Sequence, residues 1–486
     1  MMKNLNILFI LLLTVSCADI PSTDKVLNDE DAKILAYLFD ETSSDVPSYS
    51  YFVIKDGVFE IKSSIGYSDL ETSTEATPET IYKITSTSKQ FSAMALMLLI
   101  NQGKLTYETT LTEIFPSLPS YCNTISVRHL LTHQSGLISY YQFIEEDRVR
   151  PLSNPEIFDI LQSKDSTYFE TGTQFQYNQT GYALIPLIVE KLSGQPFAVF
   201  MKDEIFEKLG MNHSSIYDAQ KQPKNRARGY LSNKDSTVLN EKSVTSEILG
   251  SKGVLTTVAD YYKWDQALYS GALLPKNKLE EAFYHWENHQ KTTDGGYGYG
   301  WYVDYENGHK VLSHYGSTTG FTSQVTRVPE LQLTTGVFSN YEVNVRNLIH
   351  KTNALTSIYS DYKVPMPIET LMKMHIDNSN IQKAMAVYDK NKNNKKYKYT
   401  STGVSLLGSE YYRHGKIEEA KALYEKSILE HPEDFGGFFG LGRLAKRNGN
   451  MEEAIAFYTK VVKINPDNPG LLSAVKRQLS EMKKED

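Results

Sequence analysis

Cysteine is scarce in this sequence, with Cys17 and Cys122 the only two in 486 residues. Covalent cross-links are therefore not what holds so long a chain together, and the fold must depend on its apolar core. An excess of positive charge is also lacking, because 51 Lys and Arg stand against 58 Asp and Glu, for a net charge of −7. Without a basic footprint, we expect no nucleic-acid partner.

The N-terminus has the features of an export signal and is too short to be a membrane span. One early lysine precedes an apolar stretch, Leu5–Val15, that would not cross a bilayer as a stable helix. It leads to Cys17 in a pattern that resembles a bacterial lipoprotein signal. We therefore expect residues 1–17 to be a signal, Cys17 to carry lipid, and residues 18–30 to tether an exported protein to a membrane of the bacterial cell envelope. A signal that is simply cleaved, or one kept as an anchor, is the alternative.

The strongest chemical motif is a serine three residues before a lysine, Ser86 and Lys89, directly ahead of an apolar run at residues 90–100. A serine hydroxyl becomes a good nucleophile only where a nearby base takes its proton. Spacing of three on a helix puts both side chains on one face, and apolar surroundings would lower the pKa of Lys89 so that it can act as that base. The alternative is that Ser86 only caps the helix while Lys89 lies on its surface.

The same S-x-x-K spacing recurs four times where no chemistry is expected. These matches lie in the tether, near the predicted linker and twice on the C-terminal helix: Ser22–Lys25, Ser360–Lys363, Ser473–Lys476 and Ser480–Lys483. Only Ser86 precedes a helix that is expected to be buried, which distinguishes it from the other four matches and leaves both interpretations of it open.

Strand-like segments occur near both ends of the first two thirds of the chain. Residues 50–67 predict a β-hairpin around Asp56-Gly57, a favoured tight-turn dipeptide, and residues 297–340 contain further strand-like runs. The sequence between them is mainly helical, and Gly103 is placed to end the helix that follows Ser86. This order predicts an α/β sandwich whose sheet is assembled from its two ends, with a helical region inserted.

An internal repeat of 34 residues follows the proline-marked segment 363–369. Glycine, glycine, alanine, tyrosine and proline recur in register, at positions 408, 415, 420, 424 and 432 and again at 442, 449, 454, 458 and 466. This period and these residue types are typical of tetratricopeptide repeats. Residues 381–391 predict a degenerate helix before the first unit, and a closing helix is predicted from one apolar face formed by Leu472, Val475 and Leu479.

The sequence resembles the class C β-lactamase-like serine hydrolases over roughly residues 30–345. The resemblance is carried, in order, by IYKITSTSKQFSAMAL, ISVRHLLTHQSGL, FQYNQTGYALI, GVLTTVADYYKW, YGYGW and SHYGSTTGFTS. The family includes β-lactamases, esterases and D-amino-acid peptidases. The resemblance implies a β-lactamase/transpeptidase-like sandwich of antiparallel sheet and helices, with a helical subdomain, at residues 31–355. A linker at 356–370 and an all-α tetratricopeptide-repeat domain at 371–486 would follow.

The resemblance also implies roles for individual residues. Ser86 would be the acylated nucleophile, Lys89 its proton-handling partner, and Tyr177 a general base that acts as phenolate and serves the leaving group. Gly316 closes the third motif, which is K-T-G or H-x-G in relatives. The backbone N–H of Ser317 would be the second oxyanion donor beside that of Ser86.

Two predicted substrate-binding positions depart from the family pattern. Gln179 stands where the family has the asparagine of Y-x-N, which keeps the amide but places it one methylene further out. His314 stands where many relatives have lysine, and histidine is mostly neutral near pH 7 unless a neighbouring carboxylate keeps it charged. A neutral residue there argues against carboxylate-bearing β-lactams and D-Ala-D-Ala peptides, and it favours an ester or a less acidic amide.

His129 and His133 have the i, i+4 spacing of a metal-binding helix, but no glutamate follows the first and no acidic third ligand is evident. We expect no metal and no other cofactor. The sequence therefore predicts a serine hydrolase that acts through a Ser86 acyl-enzyme on a small-molecule or peptide ester or amide. The alternatives are a β-lactamase or penicillin-sensitive carboxypeptidase, and a non-catalytic scaffold. The repeats would bind a protein partner or pack on the catalytic domain as a support.

Overall fold

The computed structural model describes residues 27–39, 46–233, 236–287, 290–292, 295–377, 380–398, 400, 402–464 and 469–485. The predicted signal, Cys17, most of the tether with Ser22–Lys25, and the repeat proline at position 466 lie outside these ranges.

The strands of the described residues are β1 Tyr49–Lys55, β2 Val58–Ile65, β3 Tyr67–Asp69, β4 Thr74–Glu75, β5 Tyr82–Lys83, β6 Ser215–Ile216, β7 Tyr230–Asn233, β8 Ser236–Leu239, β9 Val254–Thr256, β10 His285–Glu287, β11 Gln290–Thr292, β12 Gly296–Tyr297, β13 Tyr302–Glu306, β14 His309–Thr318, β15 Phe321–Val328, β16 Leu333–Ser339, β17 Tyr341–Glu342, β18 Met366–Pro367 and β19 Tyr397–Lys398.

The α-helices are α1 Asp29–Phe39, α2 Lys89–Asn101, α3 Leu111–Ile114, α4 Val127–Leu131, α5 Asn154–Gln162, α6 Gln179–Ser193, α7 Phe197–Met201, α8 Val258–Ser270, α9 Lys276–Leu279, α10 Val345–Tyr359, α11 Ile368–Ile376, α12 Ile381–Asn391, α13 Gly403–Arg413, α14 Ile417–Glu430, α15 Phe435–Arg447, α16 Met451–Ile464 and α17 Pro469–Glu485. Short 3₁₀ turns include Thr85–Ser88, and a π-helical turn, Lys202–Phe206, follows α7.

The central sheet takes its strands from both ends of the first domain. In the described part of the chain it has seven antiparallel strands in the order β12-β13-β14-β15-β16-β1-β2. Strand β1 pairs with β16 from Tyr49↔Ser339 to Lys55↔Leu333, while α2 to α9 come between β2 and β12 in sequence. The predicted α/β sandwich with an inserted helical region is confirmed.

The tight turn between β1 and β2 lies at Asp56-Gly57, as predicted. Both residues have positive φ, 52° and 75°, as in the type I′ turns that match the twist of a hairpin. Glycine adopts this conformation freely and aspartate tolerates it.

Helix α2 lies in the core, against one face of the sheet. Its residues from Lys89 to Leu99 are buried, and Phe91 stacks on Trp264 of α8 with ring centroids 4.0 Å apart. A run that is apolar all round has no face to give to solvent, which is why it forms a central helix. The helix ends just before Gly103, whose φ is 71° and whose amide donates to the carbonyl of Ile100 at 2.9 Å.

An ion pair inside the domain ties α8 to β15. Arg327 Nε donates to Asp265 Oδ1 at 2.7 Å, and both side chains are 1% exposed. The hydroxyl of Thr334 donates to the same carboxylate oxygen at 2.6 Å. The two charges are thus buried together and depend on each other.

The opposite face of the sheet shares a core with the repeats. One cluster of buried side chains joins Val53 and Val337 of the sheet, Leu355 of α10, and Tyr388 and Tyr424 of the C-terminal helices. Residues 356–370, predicted as a linker, contain the end of α10, β18 and the start of α11. Their apolar side chains belong to the same cluster: Ile358, Tyr359, Tyr362, Met366 and Ile368. The sheet and the repeats are therefore stabilised by one continuous apolar core.

Helices α13 to α16 form the two predicted repeat units, and the glycines mark where their helices cross. A β-carbon on Gly408 would lie 2.9 Å from the ring of Tyr424, and one on Gly442 would lie 2.7 Å from that of Tyr458. The equivalent contact thus recurs after 34 residues. Helix α12 precedes the units and α17 closes them with Val475 buried, so the repeat prediction is confirmed.

Among the described residues, no single helix has both the length and the apolar character of a membrane span. Among the same residues, only α6 and the segment Phe197–Phe206 taken together have that length and apolar character. They are bent by 84° relative to each other, and α6 is largely buried in the core.

Candidate active site

Ser86 lies in the 3₁₀ turn that leads directly into α2. From Thr80 to Leu99 every residue is buried except Ser86, which is partly exposed. Thr85, just before it, has a φ of 51°, a left-handed conformation that is unfavourable for a β-branched residue. The chain thus turns sharply and presents one serine from an otherwise buried segment.

Hydrogen bonds hold this turn in place from two sides. The Ser323 hydroxyl of β15 donates to the carbonyl of Ile84 at 2.7 Å and lies 3.0 Å from the Thr85 hydroxyl. On the other side, the Ser88 hydroxyl accepts from the amide of Val254 at 3.0 Å. Because these groups are buried, the backbone next to Ser86 has little freedom to move.

Lys89 is fully buried beside this serine. Its Nζ donates to Gln179 Oε1 at 2.7 Å and to the carbonyl of Ser251 at 2.8 Å. Burial lowers the pKa of Lys89 well below its usual 10.5, and the nearby charge of Lys252 lowers it further, so the neutral amine is favoured. A neutral amine has two N–H donors and one lone pair. Both donors are engaged here, which leaves the lone pair to accept a proton.

The hydroxyl of Tyr177 lies near the side chains of Ser86 and Gln179, and hydrogen bonding from both acts to lower the pKa of Tyr177. Its ring centroid lies 5.0 Å from Lys89 Nζ. Burial raises the pKa of Tyr177, and the two hydrogen bonds oppose that rise only in part, so the phenol keeps its proton at neutral pH. These directions favour Lys89, rather than a Tyr177 phenolate, as the group that first accepts the Ser86 proton.

Gln179 begins α6, and its longer side chain reaches Lys89. The preceding residue, Asn178, caps the helix by accepting from the Thr180 amide at 2.9 Å, which sets the position of the Gln179 backbone. From there the amide oxygen contacts Lys89 Nζ directly. The extra methylene relative to asparagine is therefore used to hold Lys89.

Strand β14 passes close to Ser86 at Gly316. A β-carbon there would lie 2.9 Å from Cβ of Thr85 and nearer still to the Ser86 amide nitrogen, so only glycine fits without displacement. The next residue, Ser317, is exposed and pairs with Thr322 of β15. The close contact at Gly316 brings the strand that carries Ser317 against the Ser86 backbone, and two oxyanion donors require this kind of proximity.

His314 is fully buried in β14, and both of its ring nitrogens are engaged. Nδ1 lies 2.7 Å from the carbonyl oxygen of Tyr315 and must therefore carry the proton. Nε2 then accepts from the Tyr297 hydroxyl at 2.9 Å. Burial lowers the pKa of His314 to about 3, so the ring is neutral at pH 7. The ring therefore supplies no positive charge to the site, and it contributes by accepting the hydrogen bond that holds the Tyr297 hydroxyl.

The two histidines with metal-like spacing hold other residues in place. Nδ1 of His129 lies 3.1 Å from the amide of Ser126 in the capping box of α4. Nδ1 of His133 accepts from the amide of Asn178 at 3.2 Å, and its ring centroid lies 4.3 Å from that of Tyr177. The His133 ring thus packs against Tyr177 and helps to fix its position. The segment HLLTHQSGL was recognised in the sequence, but nothing in it pointed to Tyr177.

Three further residues belong to the site without having been predicted from the sequence: Tyr297, Ser251 and Lys252. Tyr297 binds His314, and the Ser251 carbonyl accepts from Lys89. Lys252 Nζ lies 3.0 Å from Thr245 Oγ1 and 3.4 Å from Thr318 Oγ1. Their only signal in the sequence is that Tyr297 opens YGYGW and that Ser251 and Lys252 directly precede GVLTT.

Aromatic side chains extend from Tyr177 towards the surface. Tyr302 stacks between Tyr177 and Tyr315, with ring centroids 6.1 and 5.3 Å apart. Tyr315 and Phe175 are 39% and 47% exposed. A partly exposed aromatic surface that begins at the site suits an apolar group of a bound molecule.

Comparison with known proteins gives two family matches. A family model described as Beta-lactamase matches residues 35–359, and one described as Tetratricopeptide repeat matches residues 405–469. Penicillin-binding protein 4* of Bacillus subtilis (strain 168) is 31% identical over 297 residues, which are 57% of this chain and 65% of that protein. The chain thus spans slightly less than two thirds of that relative. Protein flp of Staphylococcus aureus (strain N315) is 23% identical over 371 residues, 72% of this chain and 73% of that one.

Solved structures share the fold. The octameric penicillin-binding protein homologue from Pyrococcus abyssi has a TM-score of 0.60 at 24% identity, covering 71% of this chain and 81% of that one. A D-amino acid amidase from Ochrobactrum anthropi SV3 has a TM-score of 0.54 at 24% identity, covering 65% of this chain and 92% of that one.

Proposed function

The chain belongs to the beta-lactamase family, and from this membership we propose that it is a serine hydrolase that forms an acyl-enzyme on Ser86. The observation that carries the proposal is the state of Lys89, a buried amine whose two N–H donors are both engaged, three residues from a partly exposed serine. A surface lysine, the alternative that the sequence left open, would be charged and hydrated and would be no base for serine.

The proposed reaction uses the residues in this order. Lys89 takes the Ser86 proton as the serine oxygen attacks the carbonyl carbon of an ester or amide, and the backbone N–H groups of Ser86 and Ser317 bind the negative oxygen. When the intermediate collapses, the proton passes by way of Tyr177 to the leaving oxygen or nitrogen, and the acyl group stays on Ser86. A water molecule then attacks, gives a proton to Lys89, and releases the acid as the serine regains its proton.

Esters and amides that carry an apolar group are the proposed substrates. The support is the aromatic surface formed by Tyr177, Tyr302 and Tyr315. The amidase among the fold neighbours and the penicillin-binding relative justify including D-amino-acid amides and penicillins in a substrate panel.

A fluorophosphonate probe tests the proposal, because it phosphonylates activated serine nucleophiles and the labelled residue can be mapped. We expect labelling of the wild type to map to Ser86 and to be lost in Ser86→Ala. Ser473→Ala is the matched control, since Ser473 is the exposed serine of another S-x-x-K match, and it should label normally. An unlabelled wild type beside a labelled relative would favour the scaffold alternative.

A β-lactamase or penicillin-sensitive carboxypeptidase is a second candidate, favoured by the 31% identity to Penicillin-binding protein 4*. Hydrolysis of nitrocefin faster than that of 4-nitrophenyl butyrate would support a β-lactamase. Stable acylation by a labelled penicillin, faster than the hydrolysis of 4-nitrophenyl butyrate, would support a penicillin-sensitive carboxypeptidase. The reverse order would support the esterase or amidase activity.

The repeats are proposed to bind a protein or peptide, because stacked helix pairs offer extended surfaces for such partners. Their core, shared with the sheet, supports a second role as a support for the hydrolase domain. Cross-linking the full-length protein in cell-envelope fractions, with the photo-cross-linker placed either on the repeats or on the hydrolase domain, would identify a partner specific to the repeats. If no cross-link depends on the repeats, only their structural role is supported.

Export and lipid anchoring at Cys17 are proposed from the N-terminal sequence alone. Metabolic labelling with an alkyne fatty acid should tag the wild type, and Cys17→Ser should be untagged and released from membranes. Tagging that persists in Cys17→Ser would argue against this anchor.

A further inference from the structure

Lys252 places a second amino group at the edge of the Ser86 site. It follows Ser251, whose carbonyl holds Lys89, and its Nζ lies 3.4 Å from the hydroxyl of Thr318. Thr318 is two residues beyond Gly316 on β14, so its side chain lies on the strand face that approaches Ser86. The loop before β9 and the end of β14 therefore bring this amino group to the same face as the nucleophile.

The charge of Lys252 has no carboxylate within ion-pair distance in the part of the chain that the structure describes. The residue is 7% exposed, and its hydrogen-bond partners are the hydroxyls of Thr245 and Thr318. Burial lowers its pKa to about 8, so the ammonium form still predominates at pH 7. An ammonium has three donors and two are engaged here, which leaves one for a ligand oxygen.

The charged side chains around Lys252 do not neutralise it. Lys83 and Lys89 lie close enough for its charge to lower their pKa values. Glu241, on the same side of the molecule, is already paired with two arginines, and Glu247 is exposed. A buried ammonium among like charges and hydroxyls costs free energy until an anion pairs with it.

We propose that Lys252, together with Thr318, is the anion-recognition site of this hydrolase, and that its preferred substrates carry a carboxylate. This inference rests on the proposed function and extends it to a substrate class. The positive charge that His314 does not supply comes from a different element, the loop that also holds Lys89. The substrate would then carry an apolar group, which contacts the aromatic surface at Tyr315, and an acidic group, which pairs with the ammonium of Lys252.

Two matched ester pairs test this, each comparing a carboxylate with a neutral group of similar size. In 4-nitrophenyl glutarate against 4-nitrophenyl 5-methylhexanoate, the carboxylate is on the acyl group and an isopropyl group replaces it. In 3-carboxyphenyl butyrate against 3-carbamoylphenyl butyrate, it is on the leaving group. For Lys252→Met we expect the ratio of kcat/KM, carboxylate over neutral, to fall about 10- to 100-fold in at least one pair, as for the loss of a charge-assisted hydrogen bond. Lys242→Met, an exposed lysine nearby, should leave both ratios unchanged.

The ratio isolates recognition from general effects on catalysis. Loss of the Lys252 charge also raises the pKa of Lys89, which slows all four esters alike and cancels in the ratio. Unchanged ratios in both pairs would overturn the proposal.

Binding separates this proposal from a failure of the hydrolase itself. The four esters are titrated calorimetrically into Ser86→Ala and into Ser86→Ala/Lys252→Met, which cannot be acylated at position 86. Tighter binding of a carboxylate that depends on Lys252 supports the proposal even if the wild type hydrolyses none of the esters. Equal binding to both variants overturns it even if the wild type is active.

Discussion

Replacing Gly316 with alanine should press β14 against the nucleophile. The new β-carbon would lie 2.9 Å from Thr85 Cβ, which is 0.5 Å less than the 3.4 Å where ordinary contact begins, and closer still to the Ser86 amide. Thr85 has no easy way to retreat, because its φ is already 51° and its hydroxyl is bonded to Ser323. A misplacement of about 1 Å can cost about 100-fold in rate. We therefore expect kcat/KM for 4-nitrophenyl butyrate to fall about 10- to 100-fold.

A matched glycine elsewhere in the site separates this effect from that of any added methyl group. In Gly181→Ala, on α6, the nearest neighbour of the new β-carbon is 3.4 Å away, and activity should stay within about twofold of the wild type. Thermal unfolding of both variants shows whether they are folded at the assay temperature. A folded Gly316→Ala with wild-type kcat/KM would refute the close approach of β14 to Ser86, and with it the placement of Ser317 as an oxyanion donor.

Four further outcomes are expected. Lys89→Met should lower kcat/KM about 1000-fold. The wild-type rate should rise with pH through a pKa well below 10.5, because the neutral amine is the active form, and a pH–rate profile that rises only near 10.5 would contradict this. Gln179→Asn restores the family residue but should cost about 10-fold in kcat/KM, because its amide oxygen falls short of Lys89; equal or higher activity would show that the backbone adjusts. Asp265→Asn leaves Arg327 buried without its partner and should lower the free energy of unfolding in urea by about 3–5 kcal/mol, and a loss below about 1 kcal/mol would contradict the pairing. Deleting residues 368–486 opens the shared core and should lower the melting temperature or cause aggregation; a soluble domain with an unchanged melting temperature would argue against the support role.

Local patterns accounted for much of the fold. The apolar run after Ser86 has no polar face, so its burial followed from its own composition. The turn at Asp56-Gly57 and the 34-residue repeat are likewise properties of short segments, and the structure has both where they were predicted. The resemblance added the order of the motifs, which no single segment contains.

Contacts between distant segments account for what was not predicted. The neutral state of His314 depends on Tyr297 and on complete burial, neither of which is encoded next to it. Lys252 belongs to the site only because its loop meets Thr318, 66 residues later in the chain. The shared core has the same origin, since helix α10 looks like an ordinary amphipathic helix until both of its neighbours are known.

The pairing of β1 with β16 has a consequence for how the protein is made. Tyr49 pairs with Ser339, which comes 290 positions later in the chain. At synthesis rates of about 5–20 residues per second, roughly 15 to 60 s pass before the partner strand exists. During that interval β1 lacks the neighbour that covers its outer edge in the finished sheet, and an unpaired strand edge is the kind of surface that recruits other chains. The order of strands in this sheet therefore makes the nascent chain, more than the finished protein, the stage at which aggregation has to be avoided.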